Sequence, residues 1–369
     1  PSGTLYNKAA GRLAKGAGSA STINVHLVNE GEIHVAPATQ IDLASHASFL
    51  DGTRITGGGS VRVLAGAAFS GQFAAQNALE LNSGVYTGAG VLGAGEMRWS
   101  GGSFSNLPGE GSAMVIDHGA KLRIEASGRG KALDNHAVLT NRGRIEMEDN
   151  FTIRNSARLV VEGVGSALEV RPAAVGLTIQ GDAVLEMKAD ATLLNSSGQH
   201  LRIEAVVDGA GTFEAAGSDI EYSNYANQFR DGVRFTGAGE NILRSRTGFD
   251  GQVHSSNLVL DTGGWIHGNM QLASGTLHWK DGAFAAAQSE SNTATIASGA
   301  NLLVTGNAKK SISGYGGSGF ILVNQGNLGW SGGDMVLGNN SSLINQGLLH
   351  VDGAHQISEN GIGNGCYLL

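Results

Sequence analysis

Apolar and polar residues alternate along much of the chain in short runs, as in the segments 121–125, 144–148 and 184–188. A period of two places one set of side chains on a single face of an extended strand. The residues on that face are Leu122, Ile124, Ile145, Met147, Leu185 and Met187. Most runs are interrupted by Gly, Asn, Ser or Asp after a few positions, so the pattern predicts many short strands. A helix is hard to place, and its best candidate is the segment 72–81.

A short repeat accompanies this alternation. The repeated motif is an apolar residue followed by Asn-x-Gly and then by further apolar residues. It occurs at Asn29, Asn141, Asn324 and Asn345. The step from Asn324 to Asn345 is 21, and a looser copy at Asn7 precedes Asn29 by 22. The spacing indicates a structural unit of about 21 residues, here called a coil. Asn and Gly suit its corners because both tolerate a positive φ, so we interpret these four Asn residues as structural corners.

A longer repeat shows that the chain is a tandem duplication. One set of residues recurs at a constant offset of 180. Phe49, Asp51, Gly52, Arg54, Thr56, Gly57 and Gly59 match Phe229, Asp231, Gly232, Arg234, Thr236, Gly237 and Gly239. The offset later drifts to 183 and 184. We therefore expect two units, 1–180 and 181–369, that continue into each other without a hinge.

The coil length decides between the architectures that short strands can build. Sandwiches, barrels and solenoids all contain such strands, but only a solenoid gives a reason for a regular coil length. Each coil of a parallel β-solenoid bonds to the coils above and below it and extends one apolar core. Pro would remove a donor from this ladder, and the chain has only 4 Pro. We expect an all-β parallel solenoid of 17–18 coils, forming an elongated rod.

Composition and charge narrow the function. With 58 Gly among 369 residues and 15% charged residues, the chain is unlike a mainly helical protein. A net charge of −8 disfavours nucleic acid and anionic membrane surfaces as partners. The single cysteine, Cys366, excludes a disulfide within the chain and a Cys-based metal cluster. No apolar run is long enough for a membrane-spanning helix, and the start at Pro1 indicates a piece of a longer chain.

These coils, in a Gly-rich, Cys-poor and weakly acidic chain, resemble the parallel β-helix of bacterial surface proteins. The similar families are autotransporter passenger domains and filamentous-haemagglutinin-like exoproteins. The resemblance implies a right-handed β-helix, an extracellular or outer-membrane-associated location on a bacterial cell, and a role as a non-enzymatic adhesin or surface-fibre segment. Its partners would be host or matrix glycans or proteins, without insertion of this segment into a membrane.

The most prominent candidate face lies in the charged segment 117–206, which holds 11 Lys and Arg and 12 Asp and Glu. At the coil spacing, we expect Arg123 beside Arg144 and Glu125 beside Glu146. These four residues are candidates for contact with a ligand. Two other interpretations of these charges are open. They could simply keep the face solvated, or the carboxylates could be the catalytic groups of a polysaccharide lyase or glycoside hydrolase. A flat ladder would favour the adhesin, whereas convergence in a walled cleft would favour the enzyme.

Aromatic residues form a second candidate set. Trp99, Trp279 and Trp330 share the context apolar-x-Trp-x-x-Gly. On an outer face they would stack on sugar rings, and the alternative is a corner aromatic that covers the coil beneath. Asp51 and Asp231 are interpreted as corner residues, although each could face a sugar acid together with the Arg three residues later.

No pattern points to a cofactor or a metal. The 11 His residues lack metal-ligand spacing, and phosphate-loop, dinucleotide-binding and nucleophile-elbow motifs are absent. We expect no cofactor, no metal and no enzymatic activity. The second copy supports this expectation, because the segment 123–125, Arg-Ile-Glu, aligns with 303–305, Leu-Val-Thr. A parallel β-helix lyase or glycoside hydrolase remains the alternative.

Overall fold

The computed structural model describes residues 3–106, 112–171, 178–180, 183–286, 292–314, 318–359 and 367–368. Cys366 lies outside these ranges. The described residues form strands and no helix, and their parallel strands stack as a β-solenoid of about 16 turns, which are the coils. The residues fall into two compact units, Pro1–Leu193 and Leu194–Leu369.

The strands of the first unit are β1 Thr4–Asn7, β2 Arg12–Lys15, β3 Ser21–Ile23, β4 His26–Asn29, β5 Glu32–Val35, β6 Gln40–Leu43, β7 Ala47–Phe49, β8 Arg54–Thr56, β9 Ser60–Val63, β10 Ala67–Leu81, β11 Val85–Trp99, β12 Gly102–Ser105, β13 Ala113–Ile116, β14 Ala120–Ile124, β15 Lys131–Asp134, β16 Val138–Asn141, β17 Arg144–Met147, β18 Phe151–Ile153, β19 Arg158–Val161, β20 Ala167–Val170, β21 Thr178–Gln180 and β22 Val184–Met187. The division between the units falls within β23 Thr192–Asn195.

The strands of the second unit are β24 Leu201–Ile203, β25 Val206–Gly209, β26 Thr212–Glu214, β27 Ile220–Tyr222, β28 Asn227–Phe229, β29 Val233–Thr236, β30 Asn241–Leu243, β31 Arg246–Leu260, β32 Trp265–Trp279, β33 Ala283–Ala285, β34 Asn292–Ile296, β35 Ala300–Val304, β36 Lys310–Ser313, β37 Phe320–Asn324, β38 Asn327–Trp330, β39 Met335–Leu337, β40 Ser342–Asn345, β41 Leu348–Val351, β42 Ile357–Glu359 and β43 Tyr367–Leu368.

Three short strands make up a typical coil, and each pairs in parallel with the third strand after it. Strand β14 pairs with β17, and β17 pairs with β20. Coil length varies, because the step between facing residues is 21 from Asn327 to Leu348, but 23 from Lys121 to Arg144. The step from Asn301 to Asn327 is 26. Coils longer than the sequence spacing predicted explain why about 16 form instead of the expected 17–18.

The segment 72–81, named above as the best candidate for a helix, is not helical, because it belongs to the long strand β10. Strand β10 follows a whole coil and pairs with β7, β8 and β9 in turn, while β11 runs along its other side. Two register shifts within the β10–β11 pair let the strand bend around the corners. The buried residues Phe73, Ala75, Leu79 and Leu81 keep a period of two on either side of the second shift. The second unit repeats this arrangement in β31 and β32.

Apolar side chains inside the coils stack on their counterparts one coil away. Phe49 faces Phe69 of the next coil, and their rings lie 5.4 Å apart. In the second unit the rings of Phe229 and Phe249 lie 5.3 Å apart in a similar arrangement. Such packing buries large apolar surfaces in favourable ring geometry, so each unit has a continuous core.

Asparagine side chains at the strand ends turn inward and bind backbone groups. Asn29, Asn141 and Asn324 are fully buried. The Nδ2 of Asn324 donates to Asn345 Oδ1 at 2.7 Å and to the carbonyl oxygen of Leu348 at 2.9 Å. The Nδ2 of Asn141 donates to the carbonyl oxygen of Ala167 at 2.8 Å. These bonds satisfy carbonyls that a corner would otherwise leave without a donor.

Asp51 and Asp231 also form bonds between coils. Their Oδ1 atoms accept hydrogen bonds from the backbone N–H groups of Gln72 and Gln252, both at 2.7 Å. The residue before each donor is a glycine with a positive φ, and a Cβ on Gly71 would lie 2.5 Å from Asp51 Cβ. The duplicated Asp and Gly residues therefore form one corner that occurs twice.

Two lysines are buried at equivalent places in the duplicated sequence. Lys131 begins β15 and Lys310 begins β36, and their side chains are almost completely excluded from solvent. Lys131 Nζ forms an ion pair with Asp149 at 2.7 Å. Lys310 Nζ instead donates to the carbonyl oxygens of Gly306, Ala308 and Gly332 at 2.7, 2.8 and 3.1 Å. Burial lowers the pKa of Lys310, and the negative charge of Asp281 opposes this shift.

We expect Asn324→Ala to lower the free energy of unfolding by about 1–2 kcal/mol, because two buried hydrogen bonds are lost. Denaturant unfolding of the purified chain measures this change. Asn327→Ala is the matched control, since the bond from its side chain to Asn301 is exposed. Equal effects of the two variants would contradict the structural role of the buried asparagine.

We expect Lys310→Met to destabilise the fold by about 1–3 kcal/mol, because three carbonyl oxygens lose their shared donor. Thermal and urea unfolding measure the loss. Lys309→Met removes an exposed charge from the neighbouring residue and should be close to neutral. A Lys310→Met protein as stable as the wild type would show that the ammonium does not organise this corner.

Candidate functional site

The charged face is the outer surface of one sheet in the first unit, formed by β6, β9, β10, β11, β14, β17 and β20. Strand pairing aligns its outward side chains in columns along the solenoid. The central column contains Asp42, Arg62, Glu80, Arg98, Arg123, Glu146 and Glu169. Glu96, Lys121 and Arg144 lie in the column on one side. Glu125, Glu148 and Arg171 follow the strand ends on the other side.

The register differs from the one that the sequence spacing predicted. Arg123 faces Glu146, and Arg144 faces Lys121, because the coil between them is two residues longer than expected. The expected stacking of Arg123 on Arg144 and of Glu125 on Glu146 is therefore wrong. The shift by two residues brings Arg123 next to a carboxylate of the following coil, so opposite charges meet in the central column.

Glu146 is the centre of the ion pairs on the charged face. Its side chain is only 5% exposed, and its carboxylate lies 3.2 Å from Arg144, 3.6 Å from Lys121 and 2.8 Å from Arg171. Lys121 also contacts Glu96 at 2.7 Å. The charge of this nearly buried carboxylate is compensated, since the three cations replace the water it has lost.

The remaining charges of the face pair mainly along diagonals between coils. Arg123 binds Glu148 at 2.7 Å, and Arg98 lies 3.6 Å from Glu125. Arg144 also binds Glu169. Diagonal contacts of this kind are typical of neighbouring strands and are individually weak. The face as a whole is a network in which acids and bases largely neutralise each other.

The pKa values of two carboxyl groups on the face are shifted in opposite directions. Burial raises the pKa of Glu96, but the hydrogen bonds and positive charges of Lys121 and Arg98 outweigh it and hold this pKa below its usual value. Burial also raises the pKa of Glu125, and here the positive charge of Arg98 does not overcome it. The nearby Glu80 carboxylate adds to the rise in the pKa of Glu125. Glu125 thus gives up its proton less readily than Glu96.

A depression of about 670 Å³ borders the face. Its lining includes Glu96, Lys121, Arg144 and Glu146, and Val164 on its edge is 81% exposed. Both acids in this depression are held in ion pairs. The depression therefore offers a charged, hydrated surface next to an exposed apolar side chain.

The three tryptophans of the shared motif do not lie on an outer face. Trp99 and Trp279 are 0% exposed and Trp330 is 4% exposed. Their Nε1 atoms donate to the carbonyl oxygens of Gly101, Gly282 and Gly333 at 3.1, 3.3 and 2.8 Å. The apolar residue two positions earlier explains the burial, because a period of two places the indole on the same inward face. The reading of these residues as sugar-stacking aromatics is wrong, and they are corner aromatics.

Two exposed aromatic residues of the second unit were not predicted from the sequence. Trp265 is 52% exposed and Tyr225 is 77% exposed. One signal distinguishes Trp265 from the other three tryptophans: Gly263 stands where they have an apolar residue two positions earlier. The inward residue at this strand end is Ile266, which is fully buried.

The fold defines a β-solenoid. Comparisons of the chain with protein families, with curated proteins and with solved structures give no match. Among the described residues, no helix is long and apolar enough to cross a bilayer. In the same residues no group of three or more His, Cys, Asp or Glu side chains is arranged to hold a metal ion.

We expect Lys121→Met to lower the free energy of unfolding at pH 7 by about 1 kcal/mol or less. The pKa of folded Glu96 lies below the ordinary value of 4.5. Its ion pair therefore stabilises the fold above pH 4.5, and this contribution is lost as the pH falls through the folded pKa. Urea unfolding between pH 7 and about pH 3 should show the difference from wild type shrinking in acid.

The control for this series is Lys8→Met, which removes the exposed pair between Lys8 and Glu30. It should change stability less than Lys121→Met at neutral pH, because solvent screens exposed charges more strongly. A Lys121→Met deficit that grows in acid would contradict the assignment of Lys121 as the partner of an ionised Glu96.

Proposed function

We propose that this chain is a non-enzymatic segment of a bacterial adhesin or surface fibre. It belongs to the outside of the cell, as in autotransporter passengers, and its outer faces make weak multivalent contacts with host or matrix glycans or proteins. The observation that carries the proposal is the charged face of the first unit. There, Lys and Arg side chains lie between carboxylates along one open sheet.

The chemistry of this face suits contact better than bond cleavage. A hydrolase needs one carboxyl that donates a proton and a second group at a fixed separation from it. Glu96, Glu146 and Glu148 are each held by Lys or Arg, at 2.7, 2.8 and 2.7 Å. Carboxylates whose oxygens are already bound to cations are poorly placed to protonate or attack a sugar.

A repeated surface can bind a polymer with useful affinity because many weak contacts act together. Each exposed charge contact is worth only tenths of a kcal/mol, but neighbouring coils present similar groups roughly 4.8 Å apart. A polymeric partner that binds at one coil has a high effective concentration at the next. Binding to a long glycan or an extended protein is therefore favoured over binding to a small molecule.

One observation keeps a carbohydrate-active enzyme as the second candidate. The raised pKa of Glu125 is what a general acid requires. Its neighbour in the next coil is Glu148, whose carboxylate could serve as the second group. Glu148, however, forms an ion pair with Arg123 at 2.7 Å, so the adhesin is the better supported of the two.

A panel of immobilised acidic and neutral polysaccharides and matrix proteins tests the proposal, with binding and release of reducing ends or unsaturated products measured together. We expect weak binding to at least one polymer, reduced by salt, and no product release. The double variant Arg123→Gln and Arg144→Gln should bind less. The matched control is Arg230→Gln with Arg244→Gln, which removes exposed ion pairs of the second unit.

Two results would overturn the proposal. One is the absence of binding to every polymer of the panel. The other is sustained product release that Glu125→Gln or Glu146→Gln abolishes, which would establish the enzyme instead.

A further inference from the structure

The second unit exposes two large aromatic side chains, Tyr225 and Trp265. They are 77% and 52% exposed, although the large aromatic residues of the described core are fully buried. Exposed Trp and Tyr close to one another are typical of interaction sites, because their rings offer apolar area and a polar end at little cost in entropy.

Hydrogen bonds place these two residues two coils apart, with Ser245 on the coil between them. The Oγ of Ser245 donates to the carbonyl oxygen of Asn224 at 2.6 Å, and the backbone N–H of Trp265 donates to the carbonyl oxygen of Ser245 at 3.1 Å. Arg246 faces Trp265 in the β31–β32 pair. Arg246 and Trp265 therefore face each other on successive coils, which are roughly 4.8 Å apart. Tyr225 lies in the turn of the coil before them, one residue before the position that faces Arg246. These three residues are here called the aromatic row.

The central member of the aromatic row is an uncompensated cation. Arg246 is exposed and forms no ion pair with any described residue. Arg244 on the same coil differs in this respect, because its guanidinium forms ion pairs with Glu221 at 3.3 Å and with Asp261 at 3.1 Å. An unpaired guanidinium is available for bidentate binding of a carboxylate or sulfate.

A second column with hydrogen-bonding side chains runs beside the aromatic row. Gln228 faces Gly248, and Gly248 faces His267. A Cβ on Gly248 would collide with Gln228 Oε1 and lie 3.0 Å from the His267 ring, so the amide and the imidazole close over this glycine. The absence of a side chain at Gly248 brings two polar groups together next to Arg246.

We propose that the aromatic row is a binding subsite for an acidic glycan. The indole and phenol rings stack on pyranose faces, the guanidinium of Arg246 binds the carboxylate or sulfate, and the amide of Gln228 hydrogen-bonds to a hydroxyl. Because successive coils are roughly 4.8 Å apart, a linear glycan that runs along the solenoid meets Arg246 and Trp265 in succession, with Tyr225 at the turn of the coil before them. This inference rests on the proposed adhesin function and names the class of its ligand.

Titration of the purified chain with a linear uronic-acid oligosaccharide, its fully methyl-esterified form and a sulfated oligosaccharide tests the subsite. We expect binding of at least one acidic ligand, at least fivefold weaker binding of the ester than of the free uronate where the uronate binds, and intrinsic Trp fluorescence that changes on binding. Trp265→Ala, Tyr225→Ala and Arg246→Gln should each weaken that binding at least fivefold. The sulfated arm distinguishes recognition of a sulfate from recognition of a carboxylate.

Two controls match these variants. Tyr6→Ala removes another aromatic ring, which is 61% exposed in the first unit. Arg129→Gln removes another exposed arginine, which bonds to Asn82 and has no ion pair among the described residues. Both should bind the acidic oligosaccharides like the wild type.

The outcomes separate the subsite from the proposed function. Binding that survives Trp265→Ala and Arg246→Gln but is lost with Arg123→Gln and Arg144→Gln overturns the subsite and leaves the adhesin proposal intact. Equal binding of the uronate and its ester, with no binding of the sulfated ligand, also overturns it, because the guanidinium then has no role. No binding of any acidic oligosaccharide overturns it as well.

Discussion

The parallel hydrogen-bond ladder between coils is the constraint on which the rest of the structure depends. Each strand finds its partner one coil away, so a strand residue has a counterpart at the same point of the next coil. Side chains of one kind therefore line up, as Phe49 with Phe69 and Phe229 with Phe249 do in the core. At the corners the ladder is interrupted, and buried side chains such as Asn324 and Lys310 bond to backbone groups there. The corner residues are specified by the backbone rather than by a ligand.

Comparison of the two copies of the duplicated sequence distinguishes the residues that the fold requires from those that it does not. The corner residues Asp51 and Asp231 make the same bond to the next coil at the same 2.7 Å, and a buried lysine recurs at the equivalent strand. Outward positions have diverged, since the segment 123–125 corresponds to 303–305, which is uncharged. Inward and corner residues are fixed by packing and hydrogen bonding, whereas outward residues can change without cost to the ladder. Functional differences between the units are therefore expected on their outer faces.

Alternation with a period of two was enough to predict the strands and the inward residues, because these depend on local side-chain direction. The solenoid was predicted from the repeat of about 21 residues, since alternation alone also fits sandwiches and barrels. The neighbours across coils were not predictable, because they depend on the length of the intervening loops: two extra residues place Arg123 beside Glu146. The strand β10 escaped prediction because its pairing continues through the corners, at Gly71 and at two register shifts, instead of being interrupted there. The outward Trp265 differs from the inward Trp279 by one glycine two positions earlier, a signal that has meaning only once the inward side is known.

The two outer surfaces differ in what a ligand must displace. On the charged face a bound anion or cation competes with an existing partner, as at Glu146 with its three cations. The gain from a new contact is then offset by the loss of an old one, so each contact is weak and selectivity is low. Arg246 has no described carboxylate to give up, and its neighbours Tyr225 and Trp265 already expose apolar surface to water. Under the proposed function, a glycan that binds at the aromatic row gains a charge contact and buries apolar surface without displacing an existing partner. Discrimination between glycans is therefore expected at the aromatic row, and added avidity at the charged face.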